Sequence, residues 1–323
     1  MSAALHVLPA RPLERNVFAF GSVVDEATGR PIAEATVEAD THAIDVRMAS
    51  GGLFAMHGIA PPGVVALTFR APRHRDQTLT VAVPPSGPYP IEISAVQLRP
   101  LAVRLEGRVT TNAKRAPLAG ARISVTKPDA VLLRTVAHVD HAAGVAITPQ
   151  TLTATGAAAQ LASSATAGAT AIVVDDASGF AAGDVVRAGE EYGVVDSVDT
   201  ATRRLSLRHP LVRSHAANAA VQVVTATAAG APVATTRSID AGDGLLLLAT
   251  AMTADAIEIS DPPRLEYHDT DVITDANGFF AAEGIGGVRM LTLNAFWDDK
   301  SVDREWSIDA SRPLDTIGFR LKP

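Results

Sequence analysis

Four short stretches of this sequence carry residues with the means to do chemistry. The first is His138-Val139-Asp140-His141, two imidazoles and a carboxylate of the kinds that ligate zinc. Their spacing argues against it. On a strand, side chains three apart point to opposite faces, and no helix with a known third ligand is predicted to gather them. The second stretch holds His209 and His215, on either side of Pro210, and reads as polar turn residues. The third is Asp269-Thr-Asp271-Val-Ile-Thr-Asp275-Ala-Asn277-Gly278, rich in the oxygens a calcium ion takes. Val272 and Ile273 break the alternate spacing of a calcium loop, and Asn277-Gly278 is a hairpin-turn pair, so a turn is expected. The fourth comprises the acidic pairs Asp175-Asp176 and Glu190-Glu191. Paired carboxylates can cleave glycosidic bonds. The only tryptophans, Trp297 and Trp306, lie far off in sequence, and solvated turn charges are expected instead. No G-x-S-x-G, phosphate-binding glycine loop or zinc-protease motif is present, and Ser50 and Ser178 precede turn glycines. No catalytic, cofactor-binding or metal-ligating residue is therefore expected, and the chain reads as a non-enzyme.

The bulk properties narrow the class. The 323 residues allow two or three domains, each with its own core. With 24 Gly and 20 Pro punctuating the chain, short strands joined by turns are predicted. Only 4% of residues are aromatic, so the cores must come from Val, Leu, Ile and Ala. The net charge is −7, and the two basic stretches, RAPRHR at 70–75 and RRLSLR at 203–208, read as solvated strand edges. Nucleic acid is not an expected partner. The absence of cysteine excludes disulfides and thiolate metal sites. No signal peptide is expected at the N-terminus, and no run approaches the ~18–20 apolar residues of a membrane span.

The elements that must position these residues follow from a repeated phrase. Residues 21–37 read GSVVDEATGRPIAEATV, and residues 107–125 read GRVTTNAKRAPLAGARISV. Each is a strand, a polar turn and a strand. In the first copy Asp25, Thr28 and Gly29 suit a turn, and Ala35, Val37 and Ala39 alternate with polar neighbours. Further strands are predicted at 52–54, 64–70, 79–83 and 91–94. Gly21, Val23, Asp25, Thr28, Gly29, Pro31, Ile32, Ala35 and Val37, with Gly52, Phe54, Gly58 and Ile59 beyond, resemble the carboxypeptidase regulatory-like domain. That resemblance implies a transthyretin-like antiparallel β-sandwich over residues 16–101 and an accessory role with no catalytic residues.

The second copy keeps Gly107, Val109, Pro117, Leu118, Ala121 and Ile123. Its turn, Thr111-Asn112-Ala113-Lys114-Arg115, is predicted to be longer. The G-x-F strand is delayed to Gly278-Phe279-Phe280. The expected domains are an N-terminal arm at 1–15, a sandwich at 16–101, a discontinuous sandwich at 102–134 plus 262–323, and an insert at 135–261. The insert predicts strands at 170–175, 184–188, 191–198, 205–208 and 220–224. It resembles a small β-barrel repeat of phage-tail-associated and surface proteins. A partial second copy occupies 238–267, and both copies reach a Glu-Tyr pair, Glu191-Tyr192 and Glu266-Tyr267.

The fold class expected is all-β: two small antiparallel β-sandwiches, the second interrupted by a β-barrel-like domain. The expected function is that of a structural or adaptor subunit of a phage tail or phage-like contractile particle. It would contact other subunits, as a homo-oligomer or symmetric ring, in a particle assembled in the cytoplasm. The alternative is an extracellular surface or fibre module that grips a receptor or carbohydrate, against which the scarcity of aromatic residues counts. A third reading, an accessory subunit to a hydrolase, rests only on the family resemblance.

Overall fold

The computed structural model describes residues 17–41, 44–58, 63–86, 88–308 and 312–322. The predicted arm at 1–15 and the motif residue Ile59 lie outside the described residues. Among the described residues every regular element is a strand, and no helix is long and apolar enough to cross a membrane. The chain divides into two compact units, Met1–Leu101 and Ala102–Pro323.

The first unit is a β-sandwich. Strand Val17–Asp25 pairs antiparallel with Leu53–Gly58, which pairs with Ile44–Met48. On its other side it pairs in parallel with Ile91–Glu92 and Val96–Leu98. The facing sheet is Thr36–Ala39, Gly63–Arg70 and Gln77–Val83. Alternation decides which side chains enter: Val37 is buried between exposed Thr36 and Glu38. The core closes on Phe54 and Phe69, edge to face at 5.3 Å. Ile44–Met48 has no counterpart among the predicted strands; its apolar residues alternate with charges in too short a run to stand out.

The repeated phrase has a physical basis. A Cβ at Gly21 would lie 2.8 Å from the Phe54 ring, and one at Gly107 would lie 2.6 Å from the Phe280 ring. Each glycine thus lets the phenylalanine of the G-x-F strand lie flat on the first strand of its sandwich. The turns also correspond. Gly29 N donates to Asp25 O (2.8 Å) and Arg115 N to Thr111 O (3.1 Å). Asp25 N donates to Arg30 O (2.8 Å) and Thr111 N to Ala116 O (2.9 Å). The second turn is therefore the same length as the first, not longer. Arg115 takes the left-handed conformation (φ 51°) that Gly29 holds in the first (φ 65°).

The second sandwich is assembled from distant pieces. Strand Val103–Thr111 lies between Phe279–Ile285 and, in parallel, Leu314–Leu321. The other sheet runs Val272–Ile273, Arg122–Val125, Met290–Trp297, Lys300–Ser307. Phe280, Phe319, Leu105, Ile123 and Leu293 fill the core. The inserted domain has a nine-stranded sheet built around the 15-residue strand Ala146–Gln160. Ala146–Gln150 pairs with Ala256–Ser260, and the remainder pairs with Ala220–Ala228.

Insert and sandwich share a wall. Strands Ala130–Leu132 and Leu245–Leu247 pair antiparallel. Ala130, Leu132 and Leu245 face the sandwich core, while Val131, Leu133, Leu246 and Leu248 face a core of the insert with Ile147, Ile257 and Ile259. A strand buried on both faces needs apolar residues at every position, which accounts for the unbroken Leu245–Leu248 run.

The insert contains two copies of one unit, the second permuted. In the inner copy Ile172 pairs with Leu205, and in the outer copy Leu246 pairs with Val131. Gly168 N donates to Leu211 O (2.7 Å), and Gly242 N to Ala137 O (2.8 Å). His215 and Ala165 exchange backbone bonds, as do His141 and Ile239. The segment around His141 is thus the counterpart of that around His215. It comes first in the chain, and the inner copy is spliced in behind it.

Candidate functional site

Glu191 and Glu266 each begin the second strand of a hairpin, Glu191–Asp199 and Glu266–Asp269, opposite buried Ala188 and Ile259. That register turns both carboxylates inward, where Glu191 is 0% and Glu266 2% exposed. An uncompensated carboxylate there would cost several kcal/mol. Both are compensated in the same way. Glu191 accepts the backbone N–H of Val212 (2.6 Å) and Arg213 (3.1 Å) and the Nε2 of His215 (3.0 Å). Glu266 accepts the backbone N–H of His138 (2.7 Å) and Val139 (2.9 Å) and the Nε2 of His141 (3.0 Å). Two successive amides and the imidazole three residues after the first make a clamp that fixes a loop to a strand. The Glu-Tyr repeat in the sequence was the visible half of it.

The outer clamp carries more. His141 Nδ1 also meets Asp261 (2.9 Å). Burial pulls the His141 pKa down, but its bonds to Glu266 and Asp261 outweigh this and raise it, since both ring nitrogens face carboxylates. Burial would raise the Glu266 carboxyl, yet His141 and His268 hold it well below the usual carboxylate range. His268, 0% exposed, lies with Nε2 2.9 Å from Glu266 and Nδ1 3.1 Å from the Thr135 hydroxyl. The His138 ring stands edge-on to His268, centroids 5.4 Å apart, and to His209, 6.3 Å apart. Its Nε2 lies 3.5 Å from Glu191. Burial, with His268 alongside, pushes the His138 pKa down to about 4, and burial lowers that of His209. Both rings have a buried Nε2 with no hydrogen-bond partner among the described residues.

A second network ties the two copies together. Tyr192 donates its hydroxyl to Asp269 (2.9 Å), which also pairs with Arg134 (2.6 Å). Arg213 donates to the Arg134 carbonyl (3.0 Å), and Arg187 lies 5.6 Å over the Tyr192 ring. Burial, then Asp269, raises the Tyr192 pKa, so the phenol remains a donor.

The structure distributes the sequence candidates unevenly. It brings His138, His141, His209 and His215 around two glutamates, where the latter two were expected to be turn residues. Glu191 was expected to be a solvated turn charge and is instead fully buried; its neighbour Glu190 is half exposed and pairs with Arg213 (3.1 Å). Asp175 and Asp176 accept local amides in exposed turns. In the acidic stretch, Asp269 faces Arg134, and Asp271 pairs with Arg122. Asp275 accepts the amides of Asn277 and Phe279 (both 2.8 Å) in a turn where Gly278 has φ 69°. A cleft of about 410 Å³ between sandwich and insert is lined by Arg122, Asp255, Asp271, Met252 and Phe296, and its Arg122 pairs with both Asp255 and Asp271.

No family model matches the chain, and no curated protein matches it. Among solved structures it is similar to the TIE protein of Bacillus anthracis, at 8% identity and a TM-score of 0.23, over 96% of this chain and 51% of that one. It is also similar to BcpA, the major pilin subunit of Bacillus cereus, at 6% identity and a TM-score of 0.21, over 94% of this chain and 98% of that one. The chain thus spans about half the length of the TIE protein. At such scores the likeness fixes neither topology nor role.

Proposed function

We propose that this chain is a structural protein, a non-catalytic subunit that acts through contacts with other protein subunits. Within that class we assign it to a phage tail or phage-like contractile particle. The observation that carries the reading is the duplicated clamp. Among the described residues, the buried glutamates Glu191 and Glu266 each bind a loop to a strand with one geometry. An active site is a single arrangement that departs from the pattern around it, whereas a repeated arrangement is architecture. The serial β-modules supply the surface for subunit contacts, including strand edges suited to pairing with a neighbour's segment.

Purified native particles, labelled with an antibody against this chain and viewed in negative stain, test the assignment. Regular labelling at one position along a tail or baseplate is the expected result. Particles that lack the chain, with the chain recovered alone from the same cells, would sink it.

A further inference from the structure

The two clamps differ in a way that clamping does not require. At the position of His138 the inner copy has Val212, and at that of His268 it has Gly193; neither histidine supplies a hydrogen bond to the inner clamp, whose Glu191 lies 3.5 Å from His138 Nε2. His138 and His268 are additions to the outer clamp. We propose that His138, His268 and Glu266 bind a divalent transition-metal ion of the zinc class.

One donor atom from each of the three residues lies within 4.8 Å of the other two, and all three residues are buried. Two imidazoles and a carboxylate are ligands zinc takes, at about 2.0–2.2 Å, which places neighbouring donors roughly 3.3 Å apart. His268 Nε2 and Glu266 Oε2 already lie 2.9 Å apart. His138 is the third corner. Its side chain is only 3% exposed, and its Nε2, 3.5 Å from a Glu191 oxygen, makes no hydrogen bond among the described residues. A buried, unsatisfied ring nitrogen is a cost to the fold unless something binds it.

The surroundings match those of a metal ligand set. Thr135 contacts His268 Nδ1, and a hydroxyl can donate or accept. The His268 proton can therefore sit on Nδ1, bonded to Thr135, and the Nε2 lone pair is left for the metal. That orienting bond is the usual second contact of a ligating histidine. Glu266 is held through its other oxygen by Val139 N–H and His141. His209, whose Nε2 is also buried and without a hydrogen-bond partner among the described residues, stands edge-on to His138.

The test uses the full chain after treatment with a chelator. Equilibrium dialysis against zinc is expected to give one ion per chain, and zinc but not magnesium is expected to raise the melting temperature. His138→Val, which installs the inner clamp's residue, and His268→Gln should each weaken binding by roughly 10- to 100-fold or more. His57→Ala, in the other compact unit, should not. Cobalt titration of the unaltered chain needs no variant, and the intense visible bands of low-coordinate cobalt are expected. Sub-stoichiometric zinc in the unaltered chain, cobalt spectra like those of the free aqueous ion, or affinity unchanged in both histidine variants would each overturn the proposal.

Discussion

The inner and outer clamps share one plan and differ in what surrounds it. Around Glu191 there are three donors: two amides and His215. Around Glu266 there are four, because His268 joins the two amides and His141. The inner clamp joins residues 21 apart in sequence, and the outer clamp joins residues 128 apart. The common part is the set that both copies use to bury a carboxylate in this sheet. The surplus marks the copy that bears on the whole insert, since the outer loop also joins the wall shared with the sandwich.

Glu266→Gln should therefore have the largest effect. It replaces an acceptor of four donors with an amide whose NH2 faces some of them, leaving buried groups unpaired. A loss of about 3–5 kcal/mol is expected on the scale for breaking a buried ion pair. Urea unfolding of the purified chain measures it, and hydrogen exchange at the His138 and Val139 amides should accelerate with it. A loss below about 1 kcal/mol would mean that the clamp does not hold the loop.

Glu191→Gln comes next, at about 2–3 kcal/mol, the range for hydrogen bonds to a charged group. The same urea series ranks the two. Equal losses would show that His268 and the Asp261–His141 contact add nothing to the outer clamp. Smaller again is His138→Val in metal-free protein. It removes a buried nitrogen that makes no hydrogen bond among the described residues, together with its 3.5 Å approach to Glu191, so stability should change by no more than about 1 kcal/mol in either direction. A loss approaching that of Glu266→Gln would make the His138 ring part of the clamp itself.

How much of this was legible in the sequence depends on the range of the signal. The sandwiches were legible because their signals are local: Gly21 and Phe54, Gly107 and Phe280, and the alternation around Val37 and Ile123. The delayed Gly278-Phe279-Phe280 was legible too, because the first copy supplied a template for it, and Phe279–Ile285 pairs with Val103–Thr111. The long strand Ala146–Gln160 was not. Its small and polar residues lack apolar alternation, and it is held by pairing on both sides. Glu191 was misread for a related reason. A glutamate after a turn is usually solvated, and only the tertiary fold supplies Val212, Arg213 and His215. The Glu-Tyr pairs gave a hint, since a charge that recurs at the same place in a repeat has a structural partner. Spacing along the chain hid the His cluster, which brings together residues from 138 to 268.

The smallest effect concerns the two sandwich turns, which show the same contrast of a minimal copy and an altered one. Gly29 and Arg115 occupy matching places, at φ 65° and 51°. An L-residue with a side chain is strained in that region by roughly 1–2 kcal/mol, and glycine is not. Arg115→Gly relieves the strain but also gives the unfolded chain more freedom, which offsets part of the gain. The net expected is a stabilisation of about 0.5–1 kcal/mol, read as a higher urea midpoint with an unchanged slope. The reciprocal change, Gly29→Arg, should destabilise the first sandwich by a similar amount. If Arg115→Gly instead lowers the midpoint, the arginine side chain contributes more than its backbone conformation costs, and the second turn is an adaptation of the first.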